Sequence, residues 1–119
     1  MARSSNLEDG IRIESPWLRK FLHRRRARIL GSNFSVEKSL LEQINGFNED
    51  YQAYGRGEDS DIAFRLELIG ARLTSLRYLA ILYHLYHPQK VASEENKRIH
   101  EQVMRERNPV CRNGLVKLS

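Results

Sequence analysis

Cysteine is nearly missing from this 119-residue chain. The single one, Cys111, cannot form an intramolecular disulfide, which excludes a disulfide-stapled secreted scaffold and fits a reducing, cytoplasmic setting. Long apolar runs are missing too. The longest, Tyr78 to Tyr83, is far too short to cross a bilayer, and the polar stretch Met1 to Gly10 lacks the apolar core of a signal peptide. The chain therefore reads as soluble, or at most membrane-associated. Internal repeats are absent, and a short basic cluster is the nearest thing to low complexity. Acids are the minority charge, 15 against 20 lysines and arginines, and the net +5 favours polyanions such as phosphate groups, nucleic acid or anionic lipid without choosing among them.

What is present is enough for one modest domain or part of a larger one. Met1 to Glu14 reads as a disordered lead-in, and the fold is expected over 15–119. Ser15 can cap a helix opening on Pro16, with Trp17, Leu18, Phe21 and Leu22 at helical spacing before the sequence turns basic. Ala27 to Phe34 alternates. Ser35 can cap a second helix carrying Leu40, Leu41 and Ile44, which Gly46 stops, with Phe47 folding back on its last turn. A loop, Asn48 to Gly57, leads to a helix over Glu58 to Ile69, where Ile62, Leu66 and Ile69 form a stripe, Asp61 and Arg65 are spaced to pair, and Gly70 ends it. Leu73 to Leu76 and Tyr78 to Tyr83 read as strands, the second buried on both faces. Ser93 caps a last helix with so narrow an apolar stripe that it is expected on a surface, and the tail Val110 to Ser119 is too short to cover much.

Four groups of residues are able to carry chemistry. Gly55-Arg56-Gly57-Glu58-Asp59-Ser60-Asp61 sets three carboxylates at a helix start behind two glycines that free the backbone for a ligand. Capping and the helix dipole also favour acids there, so the cluster is as compatible with structure as with catalysis. Tyr83-His84-Leu85-Tyr86-His87-Pro88 places two histidines beyond an apolar run, a pair that needs carboxylates such as Asp59 or Asp61 to complete a metal site. His23-Arg24-Arg25-Arg26-Ala27-Arg28 suits phosphates or a solvated helix face, and it lacks the interleaved aromatics of a nucleic-acid platform. Cys111 has only Arg112 beside it and reads as packing rather than a nucleophile.

Taken in order, these segments resemble the C-terminal half of GT-A glycosyltransferases, particularly bacterial family 2 enzymes and the related galactosyltransferase C-terminal region. Gly31-Ser32-Asn33-Phe34-Ser35 is similar to the strand-end segment of that family, and Ile44-Asn45-Gly46-Phe47-Asn48-Glu49 to its Gly-Gly-Phe-Asp-Glu turn, with Asn45 and Asn48 as departures. Tyr54-Gly55-Arg56-Gly57-Glu58-Asp59-Ser60-Asp61, Arg65-Leu66, Gly70 and His84-Leu85-Tyr86-His87-Pro88 complete the series, over about Leu30 to Pro88. Tyr54 stands where the family often has tryptophan, and Arg56 interrupts its paired glycines. The implied fold class is α/β, an α+β fragment with three to four helices and a few short strands, lacking the N-terminal Rossmann-like half that carries the Asp-x-Asp motif. Asp59-Ser60-Asp61 matches that motif only in spelling.

The resemblance implies an inverting transfer of a sugar from a nucleotide-sugar donor, a UDP-sugar foremost, to a glycan or lipid-linked acceptor. Asp59 is then the base, Glu58 orients the acceptor hydroxyl, Tyr54, Gly55, Arg56, Gly57 and Asp61 form the acceptor side, and His84, with His87 second, binds manganese or magnesium. It places the chain in the cytoplasm, with peripheral membrane contact and a homo-oligomer as further expectations and no nucleic acid as partner. The competing readings are a non-catalytic glycan- or protein-binding module and, below it, a basic nucleic-acid-binding protein.

Overall fold

The computed structural model describes residues 10–22, 27–52, 57–83, 88 and 93–119. Four helices lie among them: α1 (Pro16–Leu22), α2 (Lys38–Gln43), α3 (Glu58–Leu68) and α4 (Glu94–Glu106). The only β pairing among the described residues is an isolated antiparallel bridge between Asn113 and Lys117. The helices match the expected number, and the architecture is α-rich. The chain divides into two compact units, each discontinuous in sequence: Met1–Ala27 with Thr74–Pro88, and Arg28–Leu73 with Gln89–Ser119.

In the first unit Ser15 starts α1 as expected, its hydroxyl accepting the Leu18 N–H at 3.4 Å. Trp17 stacks on Phe21, ring centroids 6.0 Å apart, and no residue of α1 is buried. The Arg19 guanidinium donates to the Ile13 and Glu14 carbonyls at 2.8 Å each, and the Ile13 N–H donates to the Tyr78 carbonyl at 2.9 Å. The expected strands do not form here. Leu79 and Ala80 N–H groups both turn back to the Leu76 carbonyl, and Tyr78 sits at φ 66°, a left-handed residue that breaks any extended run. Apolarity fitted Tyr78 to Tyr83 for a buried strand, but a strand also needs a partner edge, and the described residues offer none. Leu79, Leu82 and Tyr83 are exposed instead.

The second unit is built on Ile44, Ile62 and Leu66, with Ile29, Val36, Leu40, Leu41, Ile69 and Ala71 packed around them. Burying each such aliphatic side chain contributes roughly 1.5–3 kcal/mol. The alternating stretch from Ala27 forms no strand, turning at Leu30, whose carbonyl accepts the Asn33 N–H. Helix α2 starts at Lys38, later than a Ser35 cap would place it, because Val36 packs on the core from an extended stretch and Glu37 becomes the boundary. Its end is a Schellman motif: Asn45 N–H bonds to the Glu42 carbonyl and Gly46 N–H to the Leu41 carbonyl, with both residues at positive φ. Phe47 meets Phe34 edge to face, ring centroids 6.1 Å apart. Helix α3 ends in the same motif, with Gly70 at φ 85°.

The tail does far more than its length suggests. Asn45, buried, donates its amide to the Cys111 and Val116 carbonyls and accepts the Val116 N–H, while its backbone carbonyl accepts the Leu115 N–H. A Cβ at Gly114 would overlap that carbonyl, so only glycine allows the approach. Cys111 is buried, its sulfur 3.5 Å from the Asn45 carbonyl, and burial pushes its thiol pKa up, which makes it a packing residue. Ser93 caps α4 as expected, accepting the Asn96 N–H, and α4 buries only Asn96.

One ion pair joins these parts. Arg65 Nε and Nη2 reach Asp61 Oδ2 at 2.8 and 2.7 Å, and Nη1 donates to the Ile44 carbonyl at 2.8 Å, with both side chains fully buried. Burial pushes the Asp61 carboxyl above its ordinary value, while Arg65 pulls it back. The folded chain therefore binds a proton at Asp61 more readily than the unfolded chain, and acid favours the fold through this group. Arg65→Ala should cost roughly 3–5 kcal/mol at neutral pH, because it strands a buried carboxylate. Since it also raises the Asp61 pKa further, that deficit should narrow on acidification. Urea unfolding of both proteins across pH checks this, and a deficit that widens in acid contradicts it.

Candidate functional site

The acidic motif opens α3, and helical geometry sorts its carboxylates. Residues two apart point to different sides of a helix. Asp61 turns inward to Arg65, so its role is to hold the motif rather than to touch a ligand. Asp59 lies only partly buried. Its Oδ2 accepts the Gly31 N–H at 2.8 Å, a bond spanning 28 residues. A Cβ at Gly31 would lie 2.6 Å from Asp59 Oδ1, so the glycine is what lets the carboxylate come this close. Gly31 belongs to one motif of the sequence reading and Asp59 to another, and the fold brings them together.

Glu58 is half-buried, with Oε2 shielded from solvent and lacking a hydrogen-bond partner among the described residues. Gly57 is buried against Tyr51, where a Cβ would fall 2.5 Å from the ring. The Tyr51 hydroxyl is also buried without a hydrogen-bond partner. Burial pushes its pKa far up, the Asp61 charge adds to this, Arg65 opposes, and Glu58 and Asp50 contribute. Tyr51 thus stays a phenol, a donor set among carboxylates. From α4, His100 lies near enough to Asp61 to influence its carboxyl, and its Nδ1 is buried without a hydrogen bond among the described residues. Sequence reasoning missed both residues. An aromatic inside the acid-flanked Asn48 to Gly57 loop was a signal for Tyr51, whereas nothing local marks His100. A separate groove of about 360 Å³ runs between the loop at Asn48 and Asp50, α4 and Arg112, and neither Glu58 nor Asp59 lines it.

Tyr54, Gly55, Arg56, His84, His87 and the cluster His23 to Arg26 lie outside the described residues. Among those described, no three His, Cys, Asp or Glu side chains are grouped to hold a metal ion. The described part of the site fits proton transfer and hydrogen bonding. An aspartate anchored through one oxygen by a backbone N–H, at a partly open helix mouth, has its other oxygen available to a hydroxyl.

Residues 18–88 match the family described as the N-terminal domain of galactosyltransferase. The match spans more than half the chain, and the protein belongs to that family: it is a galactosyltransferase-like glycosyltransferase domain. Membership implies a nucleotide-sugar donor and a glycan acceptor. The match runs from within α1, which flanks the motifs, to Pro88. No curated protein and no solved structure matches the chain. No helix among the described residues is long and apolar enough to cross a membrane.

Asp59→Ala removes the acceptor for the Gly31 N–H. Amide exchange at Gly31 should accelerate by roughly tenfold, equivalent to about 1.4 kcal/mol, and hydrogen exchange followed by NMR measures it. Gly31→Ala should release Asp59 equally. Unchanged exchange at residue 31 in Asp59→Ala shows that the contact does not persist in solution.

Proposed function

We propose that the chain is the C-terminal, acceptor-binding half of an inverting GT-A glycosyltransferase of the bacterial family 2 kind, acting with manganese or magnesium in the complete enzyme. The matching family is described as an N-terminal domain; the assignment to the acceptor side rests on the order of the motifs. In this reading the acceptor hydroxyl oxygen attacks the anomeric carbon as the bond to the nucleotide diphosphate breaks, and the hydroxyl proton passes to Asp59. Glu58 orients the hydroxyl, and Tyr54, Gly55, Arg56 and Gly57 bind the acceptor, with Asp61 fixing the motif through Arg65. A divalent ion, when bound, supplies positive charge to the departing diphosphate, with His84 and then His87 as the candidate ligands. The donor, a UDP-sugar, sits mostly on a nucleotide-binding half. The acceptor is a glycan or lipid-linked glycan of a surface polysaccharide, and the setting is cytoplasmic.

The observation that supports this reading most is the Gly31 N–H bond to Asp59, because it fixes in place one of the two carboxylates of the motif that Arg65 does not pair. The experiment is transfer from a UDP-sugar with manganese to a glycan acceptor by the complete enzyme, comparing wild type with Asp59→Asn. Asparagine can still accept the Gly31 N–H but cannot take a proton. Turnover should fall by about 10²- to 10⁴-fold with folding intact. Equal turnover removes the base assignment. The isolated chain is expected to be inactive, and a chain that binds glycan yet still never turns over when joined to a nucleotide-binding half identifies the non-catalytic binding module instead.

A further inference from the structure

The chain's charge is unevenly divided. The first unit, Met1–Ala27 with Thr74–Pro88, carries eight lysines and arginines against three acids and so holds the whole net +5, while the second balances twelve against twelve. The same unit leaves large apolar side chains in solvent. Trp17 is 74% exposed and Phe21 59%, with Leu18, Leu22, Leu82 and Tyr83 also exposed. In α1, Trp17 with Phe21 and Leu18 with Leu22 stand one turn apart, which builds one apolar face, and Arg19 and Lys20 lie off it. Arg19 clamps the helix to the Ile13 and Glu14 carbonyls, and the Ile13 bond to Tyr78 ties it to the segment that carries Leu82 and Tyr83.

Among the described residues of this unit, exposed aromatics and leucines accompany Arg12, Arg19, Lys20 and Arg77 against the single acid Glu14, a combination that suits a surface anionic outside and apolar just beneath. A nucleic acid supplies the charge but gives Leu18, Leu22 and Leu82 nothing to bury against, whereas lipid supplies both. We propose that the first unit docks on an anionic phospholipid membrane, with α1 in the plane of the interface, its apolar face at headgroup depth, and the basic residues on lipid phosphates. This inference stands apart from the sugar-transfer reading and survives its failure. A face this small, on a seven-residue helix, gives weak, reversible and salt-sensitive binding.

The chain contains a single tryptophan, and it lies on this face, so its fluorescence reports the site directly. Full-length protein is titrated with vesicles of phosphatidylglycerol and phosphatidylcholine in equal parts, and with phosphatidylcholine alone. The expected result is a blue shift of Trp17 emission and co-flotation with the anionic vesicles only, both reversed at 1 M salt, where screening shortens to about 3 Å. Because α1 buries no residue, Leu18→Ser with Phe21→Ser should leave far-UV dichroism unchanged and weaken vesicle binding at least tenfold. Replacing Arg12 and Lys20, both exposed, together by Gln should weaken the preference for anionic lipid. Equal response to both vesicle types, or none, overturns the proposal. So does a Trp17 shift produced by an oligonucleotide and not by vesicles, or one that follows protein concentration in the absence of lipid, which would assign the face to a second copy.

Discussion

The second unit depends on a guanidinium with no access to water. Arg65 spends its donors on Asp61, one turn back along its own helix, and on the Ile44 carbonyl at the end of α2. That carbonyl also accepts the Cys111 N–H, so the end of one helix, the flank of another and the returning tail meet at one atom. A lysine could not do this, because only the planar fork of arginine reaches a carboxylate and a separate carbonyl in fixed directions. Burying two charges is costly, and the pair is held by the Arg65 Nε bond to Asp61 and the Nη1 bond to Ile44, while Asp61 Oδ1 is buried with no hydrogen-bond partner among the described residues. Once Asp61 is fixed inward, the rotation of α3 is set, and Asp59 has only the Gly31 side left to face.

The candidate site follows from that rotation. One acid of the motif is structural, one is anchored by a backbone N–H, and Glu58 lies between them with an oxygen shielded from solvent. Tyr51 and His100 surround the structural acid with polar groups that no neighbour satisfies, which places unpaired hydrogen-bonding capacity directly behind the motif. Family membership in the galactosyltransferases gives this arrangement its chemical context. The geometry adds a division of labour among carboxylates that spelling alone does not reveal.

What was legible in the residues was local. Ser15 and Ser93 as caps, Gly70 as a helix stop and the Asp61–Arg65 pair are all set by neighbours within a few positions, where side-chain type and spacing decide the outcome. The rest was not local. The bond from Gly31 to Asp59 and the Asn45 clamp on the tail join residues far apart in sequence, and nothing in either segment announces its partner. The strand expectation at Tyr78 to Tyr83 failed for a related reason: apolarity and β-branching describe a strand's faces, while its existence is decided by an edge elsewhere. Asn45 was noted only as a departure from a glycine pair. Its amide turns out to hold the tail, a function that glycine has no atoms to perform.

Neither unit is continuous. The first is closed by residues from Thr74 onward, and the second, interrupted by them, is completed only from Gln89 onward, ending in the tail that Asn45 holds. During synthesis α2 and α3 would emerge well before α4 and the tail that Asn45 holds, so a ribosome-bound intermediate would keep them without those contacts until both segments have been made. Closing such interleaved loops is slow relative to helix formation. The nascent chain thus passes through a window in which chaperones, rather than its own contacts, would shield its apolar surface.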